Sequence, residues 1–298
     1  MTGPGDALTY TERGGEATRR VLIELAHVLG AYRDRLVVIG GIVPTLLIDA
    51  PDTPHVGTLD IDLTLDAHGL REDQEYARII TLLEAQHYVR SGQDGGADLR
   101  AFQLQRTVDL ADGGPVIPVV IDLLMPRGLK LKKNRPPVTP GLRVQEIDGG
   151  ALALRHTVTH VLSGRTPDNW ENSAQLRVVS LPAFLALKGD ALKNRVKQKD
   201  AYDVYYVIRN SAHGPAALAE ECRPLLSDPF AAAAYQEIAE KFRSAAAYGP
   251  GTVGTFLQGR LPPGLTVEQL RTDAFRQVAA WAKALGLPPQ LWSGPDDR

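Results

Sequence analysis

The segment 58–65 constrains the fold of this chain more than any other, because it defines both a strand and the chemistry of one strand face. Apolar residues at 59, 61, 63 and 65 alternate with polar residues at 58, 60, 62 and 64. A period of two predicts a β-strand whose apolar side chains face a core. Asp60 and Asp62 then share the opposite face, about 6–7 Å apart along the strand. Two such carboxylates repel each other unless a cation lies between them, so the segment predicts a metal site.

The paired aspartates favour Mg²⁺ or Mn²⁺ as the metal. Mg²⁺ prefers hard oxygen ligands and commonly keeps water molecules and phosphate oxygens in its coordination shell. Such a site is typical of phosphoryl or nucleotidyl transfer. Taken alone, the same pattern is equally typical of a solvated strand edge.

Two further segments strengthen the catalytic interpretation. Gly40 and Gly41 follow the apolar run 36–39 and precede a predicted helix, so their backbone N–H groups can approach a phosphate closely. Asp122 is the one acid in the apolar run 119–124, where a carboxylate is costly unless it is paired or bound to a metal. If this strand neighbours the first, Asp122 can be a third metal ligand or the base that activates a hydroxyl. A plain turn and a water-facing aspartate are the simpler alternatives.

A third segment lies in a helical part of the chain. Lys188 follows the apolar helical stretch 181–187, and a buried lysine needs an anionic partner such as a triphosphate. Lys199 and Asp200 begin the next predicted helix, where Asp200 can cap the helix or contact Lys188. A surface lysine and a capping aspartate are again the simpler alternative.

Hydrophobic patterns divide the chain near residue 180. Residues 1–180 combine helices with a sheet, whereas residues 181–298 are predicted to be mainly helical. We expect an α+β domain followed by a helical domain that contributes Lys188 and Asp200 to a cleft. Two local expectations are a hairpin around residues 148–150 and a single helix over residues 230–247.

Composition excludes several classes of protein. With one cysteine, Cys222, the chain can form no internal disulfide and no cysteine-rich zinc site. No apolar run approaches the roughly 18 residues that suggest a membrane span, and residues 1–15 lack the apolar run of a signal peptide. We therefore expect a cytoplasmic protein with no membrane partner. The net charge of −2 means that a nucleic-acid partner would require local basic clusters.

The order of these motifs resembles the nucleotidyltransferase superfamily with a DNA polymerase β-like fold. Within it, the chain is similar to the AbiEii-type toxins, including the MenT-like toxins of bacterial toxin–antitoxin systems. The resemblance covers about residues 20–210 and implies a mixed sheet with helices, followed by a mainly helical C-terminal domain. The site residues it implies are the metal ligands Asp60, Asp62 and Asp122, the further catalytic residues Lys188 and Asp200, and the nucleotide-binding residues Gly40, Gly41, Thr58, Lys188 and Asp203.

The sequence departs from the family pattern at two points. Eighteen residues separate Gly41 from Asp60, which is longer than the usual loop, and an insertion at residues 50–57 accounts for the difference. Lys199 stands where the family often has an arginine, which keeps the charge but loses the bidentate fork.

The resemblance also implies the activity and its partners. It implies an enzyme that transfers a nucleotide from a nucleoside triphosphate with Mg²⁺ and releases pyrophosphate. Members of the toxin group modify the 3′ end of tRNA, which implies tRNA as acceptor, inhibition of translation and a cognate antitoxin. Two basic clusters can follow an RNA backbone: Arg127, Lys130, Lys132, Lys133 and Arg135, and Lys188, Lys193, Arg195, Lys197 and Lys199.

Other functions stay open at this point. The same site can transfer a nucleotide to a protein or a small-molecule hydroxyl, since a fold does not determine its substrate. A nucleotide-binding regulator with little catalysis is a second alternative. An unrelated glycosyltransferase that uses a sugar nucleotide also carries paired aspartates and a metal, but it leaves the diglycine turn and Lys188 unexplained.

Overall fold

The computed structural model describes residues 7, 10–50, 52–66, 73–96, 98–127, 144–261 and 264–288. These residues form two compact units. The sheet unit consists of residues 11–43 and 57–180, and the helical unit of residues 1–10, 44–56 and 181–298. The insertion before the paired aspartates therefore belongs, for the most part, to the helical unit.

The first part of the chain alternates helices and strands. In chain order its elements are α1 (Glu12–Val28), β1 (Leu36–Ile39), α2 (Val43–Leu47), β2 (Asp60–Leu65), α3 (Asp73–Glu84), β3 (Val89–Arg90), β4 (Gln103–Val108), β5 (Ile117–Pro126), β6 (Gln145–Ile147), α4 (Gly150–Arg155), β7 (Thr157–Arg165) and β8 (Glu171–Val179). Within the described residues, eight strands form one mixed sheet in the order β3-β4-β5-β2-β1-β8-β7, and β6 pairs with β5. The predicted α+β fold with a mixed sheet is confirmed.

The centre of the sheet is formed by β2, which pairs antiparallel with β1 and parallel with β5. Helix α1 covers one face of the sheet with an apolar stripe in which Val21, Leu22 and Leu25 are at most 2% exposed. This stripe follows the helical spacing in the sequence. Its burial fixes α1 on the sheet, and Thr18 of this helix supports the site described below.

The helical unit is built mainly from the last six helices. They are α5 (Leu181–Asn194), α6 (Gln198–Asn210), α7 (Gly214–Cys222), α8 (Pro229–Lys241), α9 (Tyr248–Leu257) and α10 (Val267–Leu285). In the core, the rings of Tyr235 and Trp281 meet edge-on at 5.4 Å, and the Tyr235 hydroxyl donates a hydrogen bond to the carbonyl of Pro182 at 2.9 Å. None of the described helices is long and apolar enough to cross a membrane.

Two local expectations from the sequence are wrong. The hairpin around residues 148–150 is absent, since Gly149 is the N-cap of α4 and adopts a left-handed conformation. The helix expected over 230–247 ends at Lys241, and a separate helix α9 follows. Gly249 of α9 lies so close to the ring of Phe242 that a Cβ would be 2.5 Å from it. Glycine is therefore used here for close packing, which a sequence pattern does not distinguish from a turn.

Candidate active site

Asp60 and Asp62 lie on one face of β2, as the alternating sequence predicts. Both are partly exposed, whereas Ile61 and Leu63 on the opposite face are 0% and 3% exposed. A one-residue slip of the strand would bury both carboxylates and expose the apolar side chains. The hydrophobic core therefore determines which face carries the aspartates.

Asp122 lies beside this pair on the neighbouring strand. Because β5 runs parallel to β2 in a register that pairs Asp62 with Asp122, the two residues are about 4.8 Å apart across the sheet. The three aspartates thus occupy one patch of a single sheet face, two along β2 and one across on β5. The condition on which the proposed roles of Asp122 depend, that these two strands are neighbours, is therefore met.

Thr58 supports Asp60 from just before the strand begins. Its buried hydroxyl donates a hydrogen bond to a carboxylate oxygen of Asp60. Its carbonyl accepts a hydrogen bond from the hydroxyl of Thr18 on α1 at 3.0 Å. These bonds tie the segment to α1 and orient the Asp60 carboxylate.

Gly40 ends β1 in a conformation with φ of +76° that only glycine adopts readily. A Cβ here would lie 1.8 Å from Oδ2 of Asp62, far inside van der Waals contact. Gly41 continues the turn and is buried. Glycine is therefore required at position 40 for a steric reason: it lets the backbone pass directly beside the Asp62 carboxylate.

Gln103 is a site neighbour that the sequence analysis missed. It lies on β4 in register with Asp122, and its amide Nε2 donates a hydrogen bond to Oδ1 of Asp122 at 2.9 Å. A neutral glutamine in an alternating strand gives no sequence signal. It becomes visible only once the strand register is known.

The chemistry of the donor set fits a divalent cation. Three aspartates present hard oxygen donors on one face of the sheet, which is the kind of set Mg²⁺ accepts. Within the described part of the chain, no three His, Cys, Asp or Glu side chains converge closely enough to form a metal site. The fit therefore rests on the donor type and on the strand positions of Asp60, Asp62 and Asp122.

Lys188, Asp200 and Asp203 meet in the core of the helical unit. The ammonium nitrogen of Lys188 on α5 lies 2.7 Å from a carboxylate oxygen of Asp200 and 2.7 Å from one of Asp203, both on α6. All three residues are at most 7% exposed. The N-cap of α6 is Lys197, so of the two roles considered for Asp200, contact with Lys188 is the one observed.

Asp200 also binds the guanidinium group of Arg195 through two hydrogen bonds. The Nε–Oδ2 distance is 2.7 Å and the Nη2–Oδ1 distance is 2.9 Å. Lys199, which stands where the family often has an arginine, instead contacts the two carboxylate oxygens of Asp203 at 2.9 and 3.2 Å. The bidentate fork that a lysine cannot form is thus present at Asp200, but Arg195 supplies it.

Burial and ion pairing act in opposite directions on the pKa values of this cluster. Burial lowers the pKa of Lys188, but attraction to Asp200 and Asp203 outweighs it and raises the pKa. Burial raises the pKa of Asp200, whereas Lys188 and Arg195 lower it to about 2. The pKa of Asp203 is also held well below its usual value by the two lysines, against the effect of burial. These groups are therefore charged at neutral pH.

His55 joins the cluster from the segment 44–56, and no motif indicates it. Its Nε2 lies 2.9 Å from Oδ1 of Asp203, and its side chain is 1% exposed. The ring stacks on Tyr202 and meets Tyr206 edge-on, with centroids 5.1 and 4.7 Å apart. Since a carboxylate only accepts, Nε2 carries the proton. The insertion that lengthens the chain before the paired aspartates thus supplies a hydrogen-bond donor to Asp203.

The environment of His55 predicts a loss of stability in mild acid. Burial, followed by the charge of Lys199, lowers the pKa of His55 from 6.5 to about 4, against the attraction of Asp203. Between these pH values the unfolded chain binds more protons than the folded chain, so the free energy of unfolding falls as the pH decreases. Burial also lowers the pKa of the less buried His160. This shift likewise reduces the free energy of unfolding as the pH decreases.

We expect His55→Gln to remove about 2 kcal/mol of the stability difference between pH 7 and pH 4.5. Glutamine keeps a hydrogen-bond donor but does not titrate in this range. Urea unfolding at both pH values, followed by tryptophan fluorescence, measures the difference. An equal difference in the wild type and the variant would show that folding does not lower the pKa of His55.

The predicted site residues fall into two groups, one in each unit. The sheet unit contains Gly40, Gly41, Thr58, Asp60, Asp62 and Asp122, and the helical unit contains Lys188, Asp200 and Asp203. Within each unit, the structure brings the members of the group together. Gln103 in the first group and His55 with Arg195 in the second are the neighbours that the predicted set lacks.

The structure describes only one of the two basic clusters expected from the sequence in full. Residues 128–143, which contain most of the first cluster, lie outside the described residues. In the second cluster, Lys188 and Lys199 are buried in ion pairs, so the expectation that they contribute to a basic surface is wrong. Lys193, Arg195 and Lys197 are exposed around the turn between α5 and α6.

A mixed sheet with paired aspartates on a central strand, followed by a helical part, is the arrangement expected of a nucleotidyltransferase. The family model described as "Nucleotidyl transferase AbiEii toxin, Type IV TA system" matches residues 23–249. The chain belongs to this family of nucleotidyltransferase toxins, which function in toxin–antitoxin systems. Searches of curated proteins and of solved structures give no match to the chain.

Proposed function

We propose that this chain is a Mg²⁺-dependent toxin that transfers a nucleotide from a nucleoside triphosphate to RNA, most specifically to the 3′ end of tRNA, and so blocks translation. The observation that carries the proposal is the register of β2 and β5, which brings Asp60, Asp62 and Asp122 onto one patch of the sheet. Membership in a nucleotidyltransferase toxin family supports the reaction class and implies an antitoxin as partner.

The proposed reaction is attack by a ribose hydroxyl on the α-phosphate, with pyrophosphate as the leaving group. A bound Mg²⁺ supplies charge neutralisation on the phosphates and lowers the pKa of the attacking hydroxyl. Asp60, Asp62 and Asp122 hold the cation, and Asp122 accepts the hydroxyl proton. The turn at Gly40 and Gly41 offers the triphosphate backbone N–H groups, because neither glycine carries a side chain of its own.

The helical cluster supplies positive charge in this proposal. Lys188 stabilises the negative charge on the triphosphate, and Asp200 and Asp203 hold its ammonium group in one position. A fixed charge costs little reorganisation when the substrate binds. Lys188→Met should therefore raise the KM for the nucleotide as well as lower kcat.

The choice of RNA as acceptor has two supports. The family is a toxin family, and inhibition of translation through tRNA is a direct route to growth arrest. Lys193, Arg195 and Lys197 are exposed on one short stretch of the helical unit, and such residues bind phosphates with little dependence on sequence. Arg195 also binds Asp200, which connects this stretch to the lysine cluster.

One labelling experiment tests the function. The wild-type protein and Asp62→Asn are incubated with total cellular RNA, Mg²⁺ and each α-³²P-labelled nucleoside triphosphate in turn. We expect label in tRNA for the wild type with one or more nucleotides, and a loss of at least about 100-fold in the variant, because the charge of a metal-holding carboxylate is gone. EDTA should abolish labelling in the same way.

The other outcomes distinguish the alternatives. Label in protein or in a small molecule alone would refute RNA as the acceptor and favour one of the other transferase reactions. A nucleotide-dependent rise in Tm without any labelled product would favour a regulator with little catalysis. Equal labelling by the wild type and Asp62→Asn would refute the proposed site.

A further inference from the structure

We propose that Gln103 is a positioning residue that holds the Asp122 carboxylate in the orientation needed to bind the catalytic cation. This inference rests on the proposed function, since it concerns the same three aspartates. Gln103 lies 19 residues before Asp122 in the chain, and neither the motif pattern nor the family match assigns it a role.

The sheet register places Gln103 at the end of a polar row. It pairs with Asp122 across β4 and β5, and Asp122 pairs with Asp62 across β5 and β2. Paired residues on adjacent strands present their side chains on the same face of a sheet. Gln103, Asp122 and Asp62 therefore form one line across three strands, with the glutamine amide in contact with the middle member.

The orientation of the Gln103 amide is determined by a second contact. Its Oε1 accepts a hydrogen bond from the backbone N–H of Arg100 at 2.9 Å, and the backbone N–H of Gln103 donates to the carbonyl of Arg100 at 2.9 Å. A backbone N–H cannot accept, so Oε1 must face Arg100 and Nε2 must face Asp122. A flipped amide would place two oxygens against each other at Asp122. The turn at residues 100–103 thus fixes which group is presented to the carboxylate.

This contact restricts the Asp122 carboxylate in a way that matters for a cation. A hydrogen bond from Nε2 to Oδ1 limits rotation about the Cβ–Cγ bond, and an amide donor leaves the negative charge in place. Outer partners of this kind orient metal ligands, and their loss typically costs about 10–100-fold in metal affinity or activity. Gln103 is partly exposed, so its replacement leaves no buried cavity in the sheet.

Gln105 offers a matched control on the same strand. It shares the face of Gln103 but pairs with Val120, and its amide contacts the carbonyl of Gly95 at 3.4 Å. Gln103→Leu and Gln105→Leu therefore make the same chemical change at two partly exposed positions of β4, and only the first removes the contact with Asp122.

The experiment measures Mn²⁺ binding to the full chain by calorimetry without nucleotide, and then kcat and KM for transfer at subsaturating metal. We expect Gln103→Leu to weaken Mn²⁺ binding about 10–100-fold and to lower kcat at subsaturating metal, with little change in the KM for nucleotide. Gln105→Leu should match the wild type in both, and both variants should match the wild-type Tm in EDTA. A purely structural role would instead change the Tm in EDTA.

Each outcome of the binding measurement decides the proposal. Equal Mn²⁺ affinities for Gln103→Leu and the wild type would overturn it, as would equal losses in the two variants. Absence of Mn²⁺ binding by the wild type would overturn it as well. If the wild type binds Mn²⁺ and Gln103→Leu weakens this binding, the positioning role stands even when no nucleotide transfer is detected, and that result counts only against the proposed function.

Discussion

Replacing Gly40 with alanine should lower nucleotide transfer by about 100-fold or more, while Gly92→Ala leaves it near the wild-type rate. A Cβ at Gly40 would lie 1.8 Å from Oδ2 and 2.7 Å from Cγ of Asp62, so the turn or the carboxylate must move by an ångström or more. A displacement of about 1 Å at reacting groups can cost about 100-fold in rate. The rate of labelled-nucleotide transfer to RNA at saturating substrate is the measurement.

Gly92 separates this steric effect from backbone strain. Its φ of +85° is close to the +76° of Gly40, but nothing lies within 4 Å of a Cβ built there. Alanine should therefore cost about 1–2 kcal/mol of stability from strain at both positions. If the two variants lost activity to the same extent, strain rather than the approach to Asp62 would explain the role of the glycine. Wild-type activity in Gly40→Ala would show that Asp62 is not needed in its observed place.

The sequence predicts the sheet half of the candidate site well, because period-two alternation carries its own geometry. The apolar residues around Asp60 and Asp62 specify which face the carboxylates occupy, and a lone acid in an apolar run identifies Asp122. Local patterns do not encode strand register, however. The pairing of Asp62 with Asp122, and the contact of Gln103 with Asp122, follow only from the assembled sheet.

The half of the candidate site in the helical unit is harder to predict from the sequence. The sequence predicts Lys188, Asp200 and a possible contact between them, but it does not predict the other members of the cluster. His55 contacts Asp203 across 148 residues of sequence, and a histidine in a proline-containing loop has no periodicity that would indicate burial. The two lysines expected on a basic surface lie in the core because Asp200 and Asp203 neutralise them there. Charge alone therefore predicts exposure poorly when a lysine can pair with an aspartate, as Lys199 does within one helix and Lys188 does across two.

Asp203→Asn should lower the free energy of unfolding by about 3–5 kcal/mol. Asp203 is 0% exposed and contacts Lys188, Lys199 and His55. An asparagine fills the same space but leaves two buried ammonium groups with one fewer counter-charge, and loss of one partner of a buried ion pair costs about this much. Urea unfolding at pH 7, followed by tryptophan fluorescence, gives the value.

Two comparisons show whether this loss comes from buried charge. Glu237→Gln removes the partner of Lys241, a pair with side chains 23% and 31% exposed, and should cost about 0–1 kcal/mol. Lys199→Met removes one of the two ammonium groups beside Asp203. When Lys199→Met is combined with Asp203→Asn, it should restore part of the lost stability, because only one buried ammonium group then has lost a counter-charge. If the double variant were as unstable as the sum of the two single variants, the lysine and the aspartate would act independently, and their 2.9 Å contact would not stabilise the helical unit.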